Sequence, residues 1–348
     1  MSSNEAAYDR VAAQVRYLLV WPGEGASGPE APLELRTLRD APYFAPVDID
    51  VQQLGVEEID LEGCPVSIRR ARYEDIAFVA ECAYALDNAL SPEALRLRLR
   101  LQAALRARLL ADWPAVGDLT EEYSVLLIGR FDGTPDEFID RNRAALARFM
   151  RSQREAFTTQ DVQDILISRV SYSDQEMTLV DWESAVILSA ESDFQSDVEL
   201  LKIGNYQLLR YRLLDRLIES QLATISRHLE AGTRASLLPS RSRRILRQVV
   251  ENRLMLMLNF EKIKEELLLI GDWYTAKLYR VIYDEFYLDE WEAAIKSKLD
   301  NLESVLQVIQ ENFEFSWSRF LELVQIAGWL LLLIGYFVLF FIDVRAYQ

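Results

Sequence analysis

The chain contains 348 residues, which is enough for two compact units and a further segment. Half of its residues are apolar, so packed cores are expected and a wholly disordered chain is excluded. The formal net charge of −17 disfavours non-specific binding to nucleic acid or anionic lipid, because both are polyanions. Cys64, Cys82 and the single His228 lack the number and spacing of a disulfide framework or a structural zinc site.

Residues 1–62 are predicted to form an irregular N-terminal segment. Residues 11–21 have the apolar content of a short helix or strand, and the Pro- and Gly-rich residues 22–29 are typical of a linker. No basic stretch precedes an apolar run, so we expect no secretory signal. Glu5 and Asp9 argue against a mitochondrial presequence, which is normally poor in acidic residues.

Residues 63–192 are predicted to form an α+β domain. Apolar runs bounded by turn residues predict strands at 67–72, 76–85, 123–131, 162–170, 176–180 and 184–189. The Ala-, Leu- and Arg-rich residues 92–113 favour a helix. Thr134 followed by Pro135 is typical of a helix start, and this helix is expected to continue to residue 154. This order suits a sheet with helices on one face.

Residues 193–322 are predicted to form a helical, coiled-coil-like domain. The last helix of this domain carries apolar residues at spacings of three and four, which predicts a heptad-like seam: Trp291, Ile295, Leu299, Leu302, Leu306, Ile309, Phe313 and Trp317 or Phe320. The seam could pack against the chain's own helices or against a second copy. We favour the first, because two apolar helices precede it in the same chain.

Residues 323–342 are predicted to form a single transmembrane helix, followed by a tail at 343–348. The segment contains no charged residue, and a helix of this length covers about 30 Å, the thickness of the hydrocarbon core of a bilayer. Gly328 and Gly335 share a helix face on which a second helix could pack. More basic residues precede the segment than follow it, and no export signal is present. We therefore expect a single-pass protein with a cytoplasmic body.

The sequence offers no catalytic constellation. His228 is not accompanied by a serine in a Gly-x-Ser-x-Gly context. Asp48 and Asp50 resemble a metal-binding Asp-x-Asp motif in letters only, because they lie in a Pro-rich acidic loop. No Gly-rich phosphate-binding loop is present. We therefore predict no enzymatic activity, no cofactor and no metal site.

One basic run contrasts with the acidic character of the chain, and it consists of Arg241, Arg243, Arg244, Arg247 and Arg253. It could bind anionic lipid headgroups, RNA or the protein's own acidic surface. We favour an ion-pair face within the protein or between subunits.

Residues 272–279 spell Asp-Trp-Tyr-Thr-Ala-Lys-Leu-Tyr, and Trp291 precedes a helix that continues into the predicted span. In these features the chain resembles the family of proteins required for meiotic nuclear division and sporulation. The resemblance implies an α+β domain, a helical region, one C-terminal span and no established enzymatic activity. Mitochondrial members of that family are inner-membrane proteins. Because this chain lacks a transit peptide, a bacterial inner membrane is the expected location.

The architecture is also similar to that of magnesium channels of the CorA type, which place an α/β domain before long helices and C-terminal spans. Those channels use two spans joined by a Gly-Met-Asn motif, whereas this chain has one predicted span and no such motif.

These patterns predict an α+β fold, with a mixed-sheet domain followed by a long-helix hairpin or bundle and a single C-terminal transmembrane helix. The leading hypothesis is a non-enzymatic, tail-anchored membrane scaffold or tether that self-associates. Its expected partners are the lipid bilayer, further copies of the chain and an unidentified protein, but not nucleic acid. The alternatives are a subunit of a CorA-like cation transport assembly, and an enzyme or ligand-binding module in the α+β domain.

Overall fold

A computed structural model of the protein describes residues 8–23, 49–232 and 273–346. The strands are β1 (Ala13–Pro22), β2 (Val51–Leu61), β3 (Cys64–Tyr73), β4 (Ala77–Leu86), β5 (Glu121–Ile128), β6 (Arg169–Ser173), β7 (Glu176–Val180) and β8 (Ser184–Ser189). The helices are α1 (Pro92–Asp112), α2 (Pro135–Met150), α3 (Thr159–Ile165), α4 (Gln195–Gly232), α5 (Trp273–Glu285) and α6 (Leu288–Ala346).

The eight strands form one mixed sheet in the order β2-β3-β4-β1-β5-β8-β7-β6. Neighbouring strands are antiparallel except β5 and β8, which run parallel. The predicted α+β class with a mixed sheet is therefore confirmed. The strands predicted at 176–180 and 184–189 coincide with β7 and β8.

Strand β1 lies in the middle of this sheet, between β4 and β5. Leu18, Leu19, Val20 and Trp21 are all fully buried. A run that is apolar on both faces is typical of a strand covered from both sides. The sequence predicted either a helix or a strand for residues 11–21. Residues 13–22 form a strand because they pair with β4 and β5.

Strand β2 comes from the segment that was expected to be irregular. It is an edge strand whose side chains after Val51 are half-buried or exposed, so its sequence contains no apolar run. Its ten-residue partner β3 provides the hydrogen bonds that make it a strand. Only its pairing with β3 identifies β2 as a strand.

Helices α1 and α2 begin at side-chain caps. The Ser91 hydroxyl accepts a hydrogen bond from the Ala94 N–H at 3.0 Å. Thr134 and Glu137 form a capping box, in which each side chain accepts from the other residue's N–H. The predicted start at Thr134 is confirmed, but the helix ends at Met150 rather than at residue 154.

The strand predicted at 162–170 is wrong for most of its length. Thr158 and Asp161 form a second capping box, and α3 occupies the first half of the predicted strand. Val162 and Ile165 are the buried residues of α3, and their spacing of three suits a helix. Strand β6 begins only at Arg169.

Different helices cover the two faces of the sheet. On one face, Val15, Tyr17, Leu19 and Trp21 of β1 belong to an apolar core that includes residues of α1, α2 and α3. We name this the α1–α3 face. On the other face, β1 contributes Val20 to a core that includes α4 residues. We name this the α4–α5 face. Helices on both faces, rather than on one, correct the expected arrangement.

Helices α4 and α5 approach each other closely at Gly204. A Cβ atom added there would lie 2.5 Å from Cγ2 of Ile282. Any larger residue at this position would therefore push the two helices apart. The glycine allows α5 to join α4 on the same face of the sheet.

The chain divides into two compact units, Met1–Arg216 with Met257–Ala293, and Leu217–Leu256 with Ala294–Gln348. The first unit contains the whole sheet. In the second, Ile295, Leu299 and Leu302 of the predicted seam are buried. The Lys298 ammonium donates to the Glu219 carboxylate of α4 at 2.7 Å. These first seam residues are packed within the chain, as the sequence analysis favoured.

Among the described residues, no helix provides a segment that is both long and apolar enough to cross a membrane. The predicted transmembrane helix at 323–342 is contradicted by this finding. The tail-anchored, single-pass localisation and the membrane part of the predicted fold class are corrected with it.

Candidate functional site

The end of α6 carries a large exposed apolar surface. Its members are each between 50 and 71 % exposed: Leu323, Val324, Ile326, Trp329, Leu330, Leu331, Leu332, Leu333, Ile334, Tyr336 and Val338. We name this set the apolar end of α6. Because Leu330 to Ile334 are consecutive and successive helical residues point about 100° apart, the exposed apolar surface extends around the whole helix.

The two glycines predicted to form a packing face lie within the apolar end of α6. A Cβ atom added at Gly328 or at Gly335 would have no heavy atom of the described residues within 4 Å. Within the described part of a single copy, both positions are therefore open. Seven residues separate them, so they lie on the same side of the helix.

A second feature is a cavity of about 440 Å³ at the carboxyl ends of strands β5 and β8. Gly129 and Ala190 line it, and they directly follow the last residues of β5 and β8. Its wall also includes residues that precede β1 and Gln175 from the turn between β6 and β7. In open sheets, ligands bind outside the carboxyl ends of parallel strands, and β5 and β8 are the parallel pair.

Charged and apolar groups share the lining of this cavity. Arg10, Arg130, Asp9 and Asp132 supply the charges. The apolar part of the wall consists of Val11, Phe131 and Phe138. The volume lies within the range of about 300 to 1,000 Å³ that small-molecule sites occupy.

Of the two carboxylates in the lining, that of Asp9 is already paired with an arginine. Oδ2 of Asp9 accepts from Arg141 Nε at 3.3 Å and from Asn142 Nδ2 at 2.9 Å. The Asp9 N–H in turn donates to Asn142 Oδ1 at 2.7 Å. This closed arrangement joins the residues before β1 to α2 and shapes one wall of the cavity.

The α4–α5 face contains buried charges that the sequence analysis did not identify. Lys202 of α4 donates to Glu81 of β4 at 3.0 Å and to Glu199 at 2.5 Å. Arg16 of β1 donates to the other oxygen of Glu81 at 2.9 Å. Burial raises the pKa of Glu81, but Lys202 and Arg16 outweigh it and hold this pKa below its ordinary value.

A second buried carboxylate on this face lacks a cationic partner among the described residues. Asp197 accepts hydrogen bonds from Thr178 of β7 and, at 2.9 Å, from the Tyr274 hydroxyl of α5. Burial raises the pKa of Asp197 to about 6, although both hydrogen bonds lower it. The nearby carboxylate of Glu176 raises it further.

The predicted basic run, Arg241, Arg243, Arg244, Arg247 and Arg253, lies outside the described residues, so its role stays a prediction. Of the predicted interaction residues that the structure describes, Gly328 and Gly335, neither lines the cavity. Sequence analysis missed Arg10 and Arg130. The available signal was Gly129 and Arg130 directly after an apolar strand and before a capped helix, where functional loops concentrate.

Comparison with known proteins identifies one similar domain. Residues 58–195 match the family model described as uncharacterized protein MJ0711, N-terminal domain. The uncharacterized protein MJ0711 of Methanocaldococcus jannaschii is 23 % identical over 202 residues, which are 58 % of this chain and 61 % of that protein. The chain thus spans about three-fifths of the length of this curated relative. No solved structure matches significantly.

These matches contradict the resemblance to the family required for meiotic nuclear division and sporulation. That resemblance rested on residues 272–279 and Trp291, which lie outside the matched range. The similarity is instead to the MJ0711 N-terminal domain, and it runs from within β2 to the start of α4. Aromatic residues at helical spacing are common in packed helices, so they do not identify a family.

Proposed function

We propose that this protein is a non-enzymatic scaffold that self-associates through the apolar end of α6. The observation that carries the proposal is the exposure of eleven large apolar side chains in one stretch of helix. At about 100 Å² each they present on the order of 1,000 Å² of apolar surface. Monomeric soluble proteins rarely expose a contiguous apolar patch above a few hundred Å².

A second copy of the chain is the occupant that this surface favours. Residues 323–342 contain no charged side chain, so the segment offers no charge pattern with which to select a different protein. Identical apolar helices match each other without such a pattern. The open positions at Gly328 and Gly335 would let a facing helix approach closely.

The surface also indicates how many copies associate. One partner helix covers only one side of α6, whereas the apolar end is exposed on all sides. An assembly of three or more helices covers more of each helix than a pair does. We therefore expect an oligomer larger than a dimer.

The alternative of a CorA-like transport subunit depends on a membrane span that lines a pore, and it stays an untested prediction. Self-association does not require such a span. It requires only that the apolar end of α6 is exposed in each copy.

The proposal is tested by light scattering of the purified full-length chain in mild detergent, compared with a version that ends at Glu322. We expect a defined oligomer of the full-length chain and a monomer of the shortened one. A full-length monomer would overturn the proposal. An oligomer that survives the truncation would overturn the assignment of the interface to the apolar end of α6.

A pair of variants separates specific packing from non-specific aggregation. Gly328→Leu with Gly335→Leu keeps the segment apolar but blocks the close approach of a second helix. We expect this double variant to form smaller or less stable oligomers. The matched control is Leu331→Ile with Leu332→Ile, which should leave the oligomer unchanged.

A further inference from the structure

We infer that the cavity at the ends of β5 and β8 binds a small anionic molecule through a phosphate or carboxylate group. The site is independent of the apolar end of α6 and of the proposed self-association. It lies wholly in the first compact unit, where every lining residue is described.

Charge is the first argument for an anionic ligand. The chain carries a net charge of −17, yet two arginines, Arg10 and Arg130, line this one cavity. Neither guanidinium makes a hydrogen bond or an ion pair to any other described residue. Both are exposed, so they can turn towards a ligand without breaking an existing contact.

The carboxylates of the lining do not cancel these two charges. Asp9 is occupied by Arg141 and Asn142, as described above. That leaves Asp132, whose backbone carbonyl accepts from Arg141 at 2.5 Å. Two guanidinium groups therefore face one carboxylate without an ion-pair partner, and the balance of the cavity is positive.

The shape of the site supports a small ligand. Gly129 in the lining allows the Ser192 hydroxyl to lie close to the end of β5, because a Cβ atom added at this position would clash with that hydroxyl. Phe131 and Phe138 form an apolar part of the wall, which strengthens charge-assisted hydrogen bonds by excluding water. The guanidinium plane matches phosphate and carboxylate oxygens in a two-point contact.

The experiment measures binding of inorganic phosphate and of succinate to the full-length chain by isothermal titration calorimetry at low ionic strength. We expect saturable binding of at least one probe with one site per chain. Saturation by phosphate alone or by succinate alone supports the proposal and identifies which oxygen group the cavity prefers. The absence of saturable heat with both probes would overturn it.

A matched pair of variants tests the role of the cavity. Arg130→Gln should weaken the binding by about tenfold, because it removes one charge-assisted contact. Arg154→Gln removes the same charge from an exposed position that does not line the cavity, and it should leave the affinity unchanged. Equal weakening by both variants would show a general charge effect and overturn the assignment. Because Arg130 is exposed, both variants should unfold at the same temperature as the unmodified chain.

Discussion

The two faces of the sheet are both buried, but they are packed with different chemistry. The α1–α3 face has the larger apolar core, beside buried polar groups such as the Gln102 amide, which donates to the Ser124 hydroxyl at 2.8 Å. The α4–α5 face combines a smaller apolar core with buried ion pairs and a buried carboxylate. The difference teaches that one sheet can be held by area burial on one side and by polar pairing on the other.

Polar pairing specifies position more narrowly than apolar contact does, because a hydrogen bond depends on distance and angle. Apolar packing tolerates small shifts when the total volume is kept. The α4–α5 face therefore determines where α4 lies against β1 and β4. Each of the following predictions substitutes a buried residue on one of the two faces.

Breaking the buried ion pair should have the largest effect. Glu81→Gln leaves the buried ammonium of Lys202 with only Glu199, and it leaves Arg16 without its carboxylate partner. We expect a loss of about 3 to 4 kcal/mol in the free energy of unfolding, measured by urea denaturation. The control is Glu58→Gln on an exposed position of β2, which should change stability by less than about 0.5 kcal/mol. A Glu81→Gln variant as stable as this control would show that the pair does not hold the face together.

Removing the charge of Asp197 should have the next largest effect, and it should depend on pH. Burial raises the pKa of this carboxyl from 3.8 to about 6. Between these values the folded chain holds a proton that the unfolded chain releases, so the free energy of unfolding falls as the pH rises. The difference of about two pKa units corresponds to about 3 kcal/mol.

Asp197→Asn should remove this decrease between about pH 4 and pH 6, measured by urea denaturation at a series of pH values. The control is Asp87→Asn, which removes an exposed carboxylate that does not contribute to the raised pKa of Asp197. If the variant and the unmodified chain lose stability equally across this range, Asp197 is not the responsible group.

The smallest effect is expected on the α1–α3 face, at its buried charge. Arg98 is fully buried, stacks on Phe149 at 4.0 Å and donates to Ser152 at 2.8 Å. Its Nε and Nη1 atoms have no hydrogen-bond partner in the part of the chain that the structure describes, and burial lowers the pKa of the guanidinium to about 10.

Arg98→Met keeps the length of the side chain and removes the buried charge. We expect the free energy of unfolding to stay within about 1 kcal/mol of the original value, because an apolar group of similar volume replaces a poorly satisfied cation. Thermal and urea denaturation measure it. A loss of more than about 3 kcal/mol would mean that Arg98 is as strongly paired as Glu81, and the two faces would no longer differ.

Much of the sheet could be predicted from the sequence because local signals were sufficient there. Ala185 to Leu188 form a continuous apolar run, which predicted β8 correctly. Thr134 with Pro135 predicted the start of α2, because capping depends only on residues within one turn. By contrast, β2 has no apolar run, and only its pairing with β3 makes it a strand.

The cavity could not be predicted for a related reason. Arg10 and Arg130 are 120 positions apart in the chain and meet only because β1 begins where β5 ends. No spacing rule connects two such residues. The apolar end of α6 was visible in the sequence, but its interpretation as a membrane span was not supported by the structure.

The sequence by itself determined the apolar runs, the helix caps and the long C-terminal helix, because these depend on neighbours within a few residues. The tertiary structure alone decided that β1 is central, that β5 and β8 run parallel, and that Glu81 meets Lys202. These features join residues that are far apart in the chain. Their energies depend on burial and hydrogen-bond geometry, which exist only once the sheet and its two helical layers have assembled.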